Sequence, residues 1–479
     1  VIAIVVSRAD HASTHIGEQL LEHGEWTAHE DTDRPDSDGG GTYYRSDGFE
    51  LREFDALHVE LGDPSEAFSS PADIDFIVFV SRHAGDTGAL LTAHFTGNFG
   101  PAEYGGQPKS FARACPGAQK AVITALNAHA PEEYEVGIEC THHGPSECSV
   151  PSMFVELGSD EAQWRDAAGA AAVARAVLDL RGVSADHEPA TANKPRHVVG
   201  FGGGHYTPRC TRIVTDSEWA VGHIGSAWQL DAMGDPEEHR EVIAAAFEAS
   251  NAELAVVAGD NPSLTAVIDD LGYRVVSETW LRAVGSRPLS VVAAAEKRLS
   301  TVDAGLRFGT AAVDNATEAD PEADWLQVDL PDSLIAAANG IDHDATWAAV
   351  VETTVAFETV EGATLPAGQA VVDEPAAVDT LVDRLAALMT SKYDAVEQTP
   401  AAVICRQTGF DPQKAATLGV PEGPKFGQLA AGHAIKVNGR TIKPEVVESD
   451  RTERFSVSRP EPSETDLVES DDCLTNGER

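Results

Sequence analysis

Histidine is unevenly spread in this chain: of 17, all but His343 and His433 lie at or before His239. Several sit just past β-branched runs. Ser81-Arg82-His83 follows Ile74 to Val80, Thr141-His142-His143-Gly144-Pro145 follows Tyr134 to Cys140, and Gly202-Gly203-Gly204-His205-Tyr206 follows His197 to Phe201. Asp260 follows Leu254 to Ala258 in the same way. In an open parallel sheet the carboxyl ends of the strands form the ligand crevice, so one rim carrying three histidine loops and a carboxylate is expected. Imidazoles beside carboxylates are the donors of a zinc site, which keeps a position open for water when it is catalytic. His83, His94, His142 and His143 are the candidate ligands, with Glu139, Glu147 and His205 in or beside the set. Neighbouring side chains alternate along an extended chain, so only one of His142 and His143 is expected to reach a given ion. Any one of these histidines could equally cap a strand end; the convergence of several carries the argument.

Two further features bear on the substrate. Gly200-Phe201-Gly202-Gly203-Gly204-His205 has His205 where a dinucleotide fingerprint needs its third glycine, and Thr207-Pro208 where the helix should open. A Rossmann cofactor site is excluded, and the glycines instead let a bulky ligand approach the backbone closely or simply form a tight turn. Between Glu188 and Asp216 there is no acid, while Lys194, Arg196, Arg209 and Arg212 are present; Tyr104 to Pro131 is likewise acid-free and holds Lys109, Arg113 and Lys120. In a chain of net charge −44 these are islands of positive potential, suited to a substrate that brings phosphates. Burial of such a stretch would also explain its lack of acids.

The elements that position these residues alternate strand and helix as far as Gly285, the pattern of a mainly parallel α/β sheet. Expected helices include Ala12 to His23, Gly117 to Ala128, Glu161 to Leu180, Pro236 to Ser250 and Ser263 to Leu271. A catalytic domain over 1–285 is followed by an accessory acidic α+β region over 286–400, with an amphipathic helix from Val378 to Tyr393. A compact module over 401–447 holds a hairpin turn at Asn438-Gly439. Residues 448–479, poor in large apolar side chains, are expected to be a disordered acidic tail. The 479 residues are 42% hydrophobic, enough for a core, so the acidity is a solvated skin suited to concentrated salt. Six cysteines without C-x-x-C spacing, and no long apolar stretch or signal peptide, point to a soluble protein of the reducing cytoplasm.

The first half resembles the archaeal, zinc-dependent family of D-aminoacyl-tRNA deacylases that is also found in plants. The runs that carry the resemblance include Ile4-Val-Val-Ser-Arg-Ala-Asp-His, Ser81-Arg-His, Thr92-Ala-His-Phe-Thr-Gly-Asn-Phe-Gly, Glu139-Cys-Thr-His-His-Gly-Pro-Ser-Glu, Val150-Pro-Ser-Met-Phe-Val-Glu-Leu-Gly-Ser and Gly202-Gly-Gly-His-Tyr-Thr-Pro-Arg. They are ordered and cover roughly Val1 to Gly285. The resemblance implies a sheet of the phosphorylase and peptidyl-tRNA hydrolase type, hydrolysis of the ester between a D-amino acid and tRNA, and zinc, one or two ions per chain. Glu139 or Glu147 would then take the proton from water, and His205 or Arg82 would stabilise the oxyanion. Lys194, Arg196, Arg209 and Arg212, with Gly202, Gly203 and Gly204, would hold the acceptor end of the tRNA. A monomer acting on neither DNA nor membranes is expected. The competing functions are a zinc hydrolase or phosphorylase of small substrates and a tRNA-binding module without catalysis. Leu418 to Leu429 looks like a run near the C-terminus of tRNase Z-type nucleases, but without their H-x-H-x-D-H motif no nuclease activity follows.

Overall fold

The computed structural model describes residues 1–189, 194–311 and 325–459. It divides into two compact units, Val1–Ser286 and Arg287–Arg479. The strands of the first unit are β1 (Ile2–Ser7), β2 (Thr27–Asp31), β3 (Gly41–Ser46), β4 (Phe49–Phe54), β5 (Phe76–Arg82) and β6 (Leu90–His94). After a short pair, β7 (Gly97–Asn98) and β8 (Ser110–Phe111), come β9 (Glu135–Ile138), β10 (Ser152–Gly158), β11 (His197–Phe201), β12 (Ala220–Gly225), β13 (Leu254–Val257) and β14 (Arg274–Val275).

These strands form two main sheets rather than one. The first has the order β2-β3-β4-β1-β5-β10-β6-β9, the second β12-β11-β13-β14. All of β1 and β10 is buried, as befits near-continuous apolar runs covered on both faces. Helices His11–His23, Pro116–His129 and Ala167–Leu178 pack on one another and on the larger sheet. Asp10 starts the first of them by accepting from the backbone N–H of Ala12 and Ser13.

Three expectations need correction. The larger sheet is mixed: β10 runs parallel to β5 but antiparallel to β6, and β9 follows β6. β5 and β9 therefore run in opposite directions, although His83 and Glu139, just past their ends, lie 3.2 Å apart. The helix expected over Glu161 to Leu180 is broken, because the Asp166 carboxylate accepts from the N–H of Ala168 and Gly169 and starts a new helix at Ala167. Pro236–His239 is likewise a 3-10 turn ahead of the helix Arg240–Ala249.

In the second unit β15 (Arg307–Phe308), β16 (Leu326–Asp329), β17 (Ala356–Val360) and β18 (Leu365–Val372) form an antiparallel sheet. The helix Ala376–Met389 buries Leu381 and Leu385. Next come β19 (Ala395–Thr399), β20 (Ala402–Phe410), the hairpin of β21 (Ile435–Val437) and β22 (Arg440–Ile442), and β23 (Glu448–Ser456). The hairpin turns at Asn438-Gly439, both at positive φ (49° and 79°), as a two-residue turn of this type requires. The tail expected from 448 onward is, over Glu448–Ser456, a strand paired with β20 along its whole length. Its ladder is backbone, and it buries mainly Phe455, so its polar sequence gave little apolar signal. Residues 460–479 lie outside the described residues.

Candidate active site

The site lies where the end of β9 meets the glycine loop that follows β11. His205 C=O accepts from the N–H of Cys140 (2.9 Å), and Ile138 C=O accepts from the N–H of Thr207 (3.1 Å). The loop needs its glycines: Gly202 and Gly203 have φ of 83° and 81°, and a Cβ on Gly202 would lie 2.4 Å from the carbonyl oxygen of Ala258. This lacing sets His205 beside Glu139, with 2.7 Å between Nε2 and Oε2.

Two carboxylates are buried among the histidines. Glu139 also accepts from the Thr92 hydroxyl and lies 3.2 Å from His83 Nδ1. Glu156, in the middle of β10, accepts from Ser81 Oγ (2.6 Å) and lies 3.5 Å from both His83 Nδ1 and His94 Nε2. Burial alone would raise both carboxyls, but facing histidines outweigh it: His205 and His83 hold Glu139 well below the usual carboxylate range, and His83 and His94 hold Glu156 low. Burial works against a charged His83, yet Glu139 and Glu156 raise it to about 10. His205 rises to about 10 against burial through Cys140 and Glu139.

His94 is likewise raised by Glu156 against burial, whereas His142 and His143 behave differently. In all three, Nδ1 meets a backbone carbonyl: Phe95 O at 3.0 Å, Cys140 O at 2.9 Å and Gly144 O at 2.8 Å. A carbonyl only accepts, so each Nδ1 carries the hydrogen; the Nε2 of neutral His142 and His143 presents a lone pair, while that of His94 faces Glu156 at 3.5 Å. Burial and the neighbouring His94 push His142 well below its ordinary value and His143 down to about 4, keeping both neutral. Ligand nitrogens of the three lie within 4.8 Å of one another. His94 Nε2 is buried without a hydrogen-bond partner. A buried imidazole nitrogen without a hydrogen bond, beside the two lone pairs of His142 and His143, is what a metal ion would satisfy, so these residues fit one. Two further groups have the same spacing: Cys140, His142 and His205, and His83, Glu139 and Glu156. The expectation that only one of His142 and His143 could serve fails for a local reason. His143 has φ 51°, so the chain is not extended there, and the two rings lie 4.5 Å apart.

A cavity of about 780 Å³ opens above this nest. Arg82, His83, His142, His143, Glu156 and His205 line it, as do Tyr104 and Trp228, which are 69% and 50% exposed. The Arg82 guanidinium lies 5.4 Å from the centre of the Trp164 ring. Glu147 is exposed and lines no part of the cavity, nor does Asp260. Glu156, Cys140 and Tyr206, whose hydroxyl is 3.0 Å from His83 Nε2, were not among the expected site residues. A glutamate inside a seven-residue strand that is buried throughout was the available signal for Glu156.

In the fold most bases of the two acid-free runs are paired or buried, while Lys109 meets the His239 ring. Arg196 is 1% exposed, with its guanidinium 5.2 Å from the centre of the Trp219 ring, and cannot reach a phosphate. Lys194 pairs with Glu253 (2.7 Å), and Arg209 and Arg212 share Glu278. Arg113 pairs with Asp186, and Lys120 donates to the carbonyls of Val214 and Ser217. Gly202, Gly203 and Gly204 line a separate cavity of about 330 Å³ with Arg209 and Arg212. An acid-free run in sequence is not an acid-free surface.

A mixed α/β sheet here carries buried histidines and carboxylates that could hold a metal ion beside a cavity. Residues 70–276 match the model of the D-aminoacyl-tRNA deacylase family. Relatives named D-aminoacyl-tRNA deacylase include one from Halorubrum lacusprofundi, 54% identical over 96% of this chain and 98% of its own length. Another, from Natronomonas pharaonis, is 50% identical over 95% and 99%. The chain belongs to the D-aminoacyl-tRNA deacylase family. A crystal structure described as a conserved protein of unknown function is similar, with 29% identity and a TM-score of 0.51, covering 59% of this chain and 96% of that one.

Proposed function

We propose that this chain hydrolyses the ester joining a D-amino acid to tRNA, releasing the amino acid and free tRNA, at the histidine–carboxylate nest. The observation that carries this is the buried His94 Nε2, without a hydrogen bond, beside neutral His142 and His143, which line a cavity together with His83, Glu156 and His205. His94, His142 and His143 would hold the ion, with His83, Glu139 and Glu156 as a second group. Zinc suits these donors, and when bound it supplies Lewis-acid polarisation and lowers the pKa of water from 15.7 to about 7. Water adds to the ester carbonyl, the bond to the ribose oxygen breaks, and the leaving oxygen takes up a proton. Glu139, ionised and 2.7 Å from His205 Nε2 but buried behind the cavity lining, would take the proton from water, and the His205 imidazolium would give one to the leaving oxygen. Arg82 supports the negative charge that develops on the carbonyl oxygen.

The exposed faces of Trp228 and Tyr104 suit stacking by the unpaired bases of the acceptor end, a contact that molar salt does not screen. Within this reading the sheet is of the phosphorylase and peptidyl-tRNA hydrolase type, and the chain works as a monomer in a salt-rich cytoplasm. Among the described residues no helix is long and apolar enough to cross a membrane. The test is side-by-side incubation with tRNA charged with the D and L forms of one amino acid. Release of the D form alone is expected; equal release of both, or of neither, overturns the proposal.

A further inference from the structure

The chain has nine lysines, and four of them fall within 411–447, together with Arg440 and only three acids, Asp411, Glu422 and Glu445. This stretch is an insertion at the tip of a β-ladder: Phe410 of β20 pairs with Glu448 of β23, and Asp411 N–H donates to Val447 C=O. It has a core of its own, in which Ala415, Val420, Leu429, Ile435, Val437 and Ile442 are buried together. Lys436 alternates with buried Ile435 and Val437, so it points away from that core. Lys425 donates to the carbonyl of Lys436 (3.1 Å), which brings its ammonium onto the hairpin, and Arg440 and Lys443 are exposed on the second arm.

The bases of the first unit described above, Lys194, Arg113, Arg209 and Arg212, are all paired with carboxylates. Among the described residues none of Lys425, Lys436, Arg440 and Lys443 enters an ion pair, in a chain where acids outnumber bases 78 to 34. Such a surplus of carboxylates would neutralise an idle cluster, so positive potential kept free has an anionic partner.

We propose that the 411–447 module is an RNA-docking face that contacts phosphates of the tRNA body through Lys425, Lys436, Arg440 and Lys443. The identity of the RNA rests on the function proposed above. Its helices, Pro412–Thr417 and Pro424–Ala430, are too short to bury an amphipathic face in lipid, which favours RNA over a membrane surface.

The test uses the full chain with Lys425, Lys436, Arg440 and Lys443 all replaced by Gln, and a second variant in which the three lysines become Arg. Binding of uncharged tRNA is measured across a range of KCl, and hydrolysis of D-aminoacyl-tRNA is compared with that of a D-aminoacyl-adenosine ester. The Gln variant should bind tRNA at least about tenfold more weakly at the lowest salt, with the slope of log K against log salt reduced by about 3. Its KM for D-aminoacyl-tRNA should rise while kcat and the rate on the small ester are kept. The Arg variant should bind as the parent does. Unchanged tRNA affinity and slope, or a loss confined to binding of phosphatidylglycerol vesicles, overturns the docking face and leaves the hydrolysis proposal intact. A parent that hydrolyses neither ester, with tRNA affinity still lost in the Gln variant, overturns hydrolysis and keeps the docking face.

Discussion

Gly158 ends β10 with no room for a side chain. A Cβ built there would lie 2.6 Å from His83 Cβ, 2.7 Å from its Cδ2 and 3.0 Å from its Cγ. The first of these atoms moves only with the backbone, so a rotamer change offers no relief. Restoring ordinary contact requires a separation of about 0.8–1 Å between β10 and the end of β5. His83 holds three contacts that such a shift breaks: Glu139 at 3.2 Å, Glu156 at 3.5 Å and the Tyr206 hydroxyl at 3.0 Å. Overpacking of this kind costs about 1–3 kcal/mol of stability, and a misplacement of about 1 Å costs roughly 100-fold in rate. Gly158→Ala should therefore lower kcat/KM for D-aminoacyl-tRNA by about two orders of magnitude while the protein still melts cooperatively. The control is Gly137→Ala in β9, where a Cβ would meet only Thr211 Oγ1 at 3.9 Å and activity should be unaffected. A Gly158→Ala protein within about threefold of the parent in kcat/KM would refute the claim that the position of His83 matters.

Glu156→Gln should lose about 10–100-fold in metal affinity, read by titration of metal-free protein, and Glu147→Gln should lose none. His223 is fully buried between the Thr141 hydroxyl and Ala112 C=O, and burial pushes it down to about 4. Its folded value lies below the unfolded 6.5, so the unfolded chain binds the extra proton as pH falls. Stability from this group is full above pH 6.5 and falls by about 3 kcal/mol by pH 4, which denaturant midpoints at pH 7 and pH 4.5 will detect. Trp228→Ala should raise KM for D-aminoacyl-tRNA about fivefold or more with little change in kcat, since stacking on an aromatic face is worth about 1–3 kcal/mol per base.

The strand His197–Phe201 and the turn at Asn438-Gly439 could be read from local pattern, because apolar runs and left-handed turn residues are signals carried by neighbours in sequence. The direction of β6 could not, since antiparallel pairing to β10 is a long-range choice that leaves no mark on either strand. The site was legible in its histidines and in Glu139, which stand near strand ends. Glu156 was hidden because its partners, Ser81, His83 and His94, come from two other strands. The pairing of the basic islands was hidden for the converse reason: Glu253 and Glu278, which pair with Lys194, Arg209 and Arg212, lie 59 to 69 residues away in sequence and beside them in space.

The most direct test of the account is the rate of D-aminoacyl-tRNA hydrolysis by one preparation as isolated, after removal of metal with a chelator, and after zinc is restored, with bound metal counted at each stage. The account predicts activity that tracks bound metal, vanishing with it and returning on zinc addition, and a His94→Ala protein that neither binds the ion nor recovers. Undiminished hydrolysis by metal-free protein would contradict it.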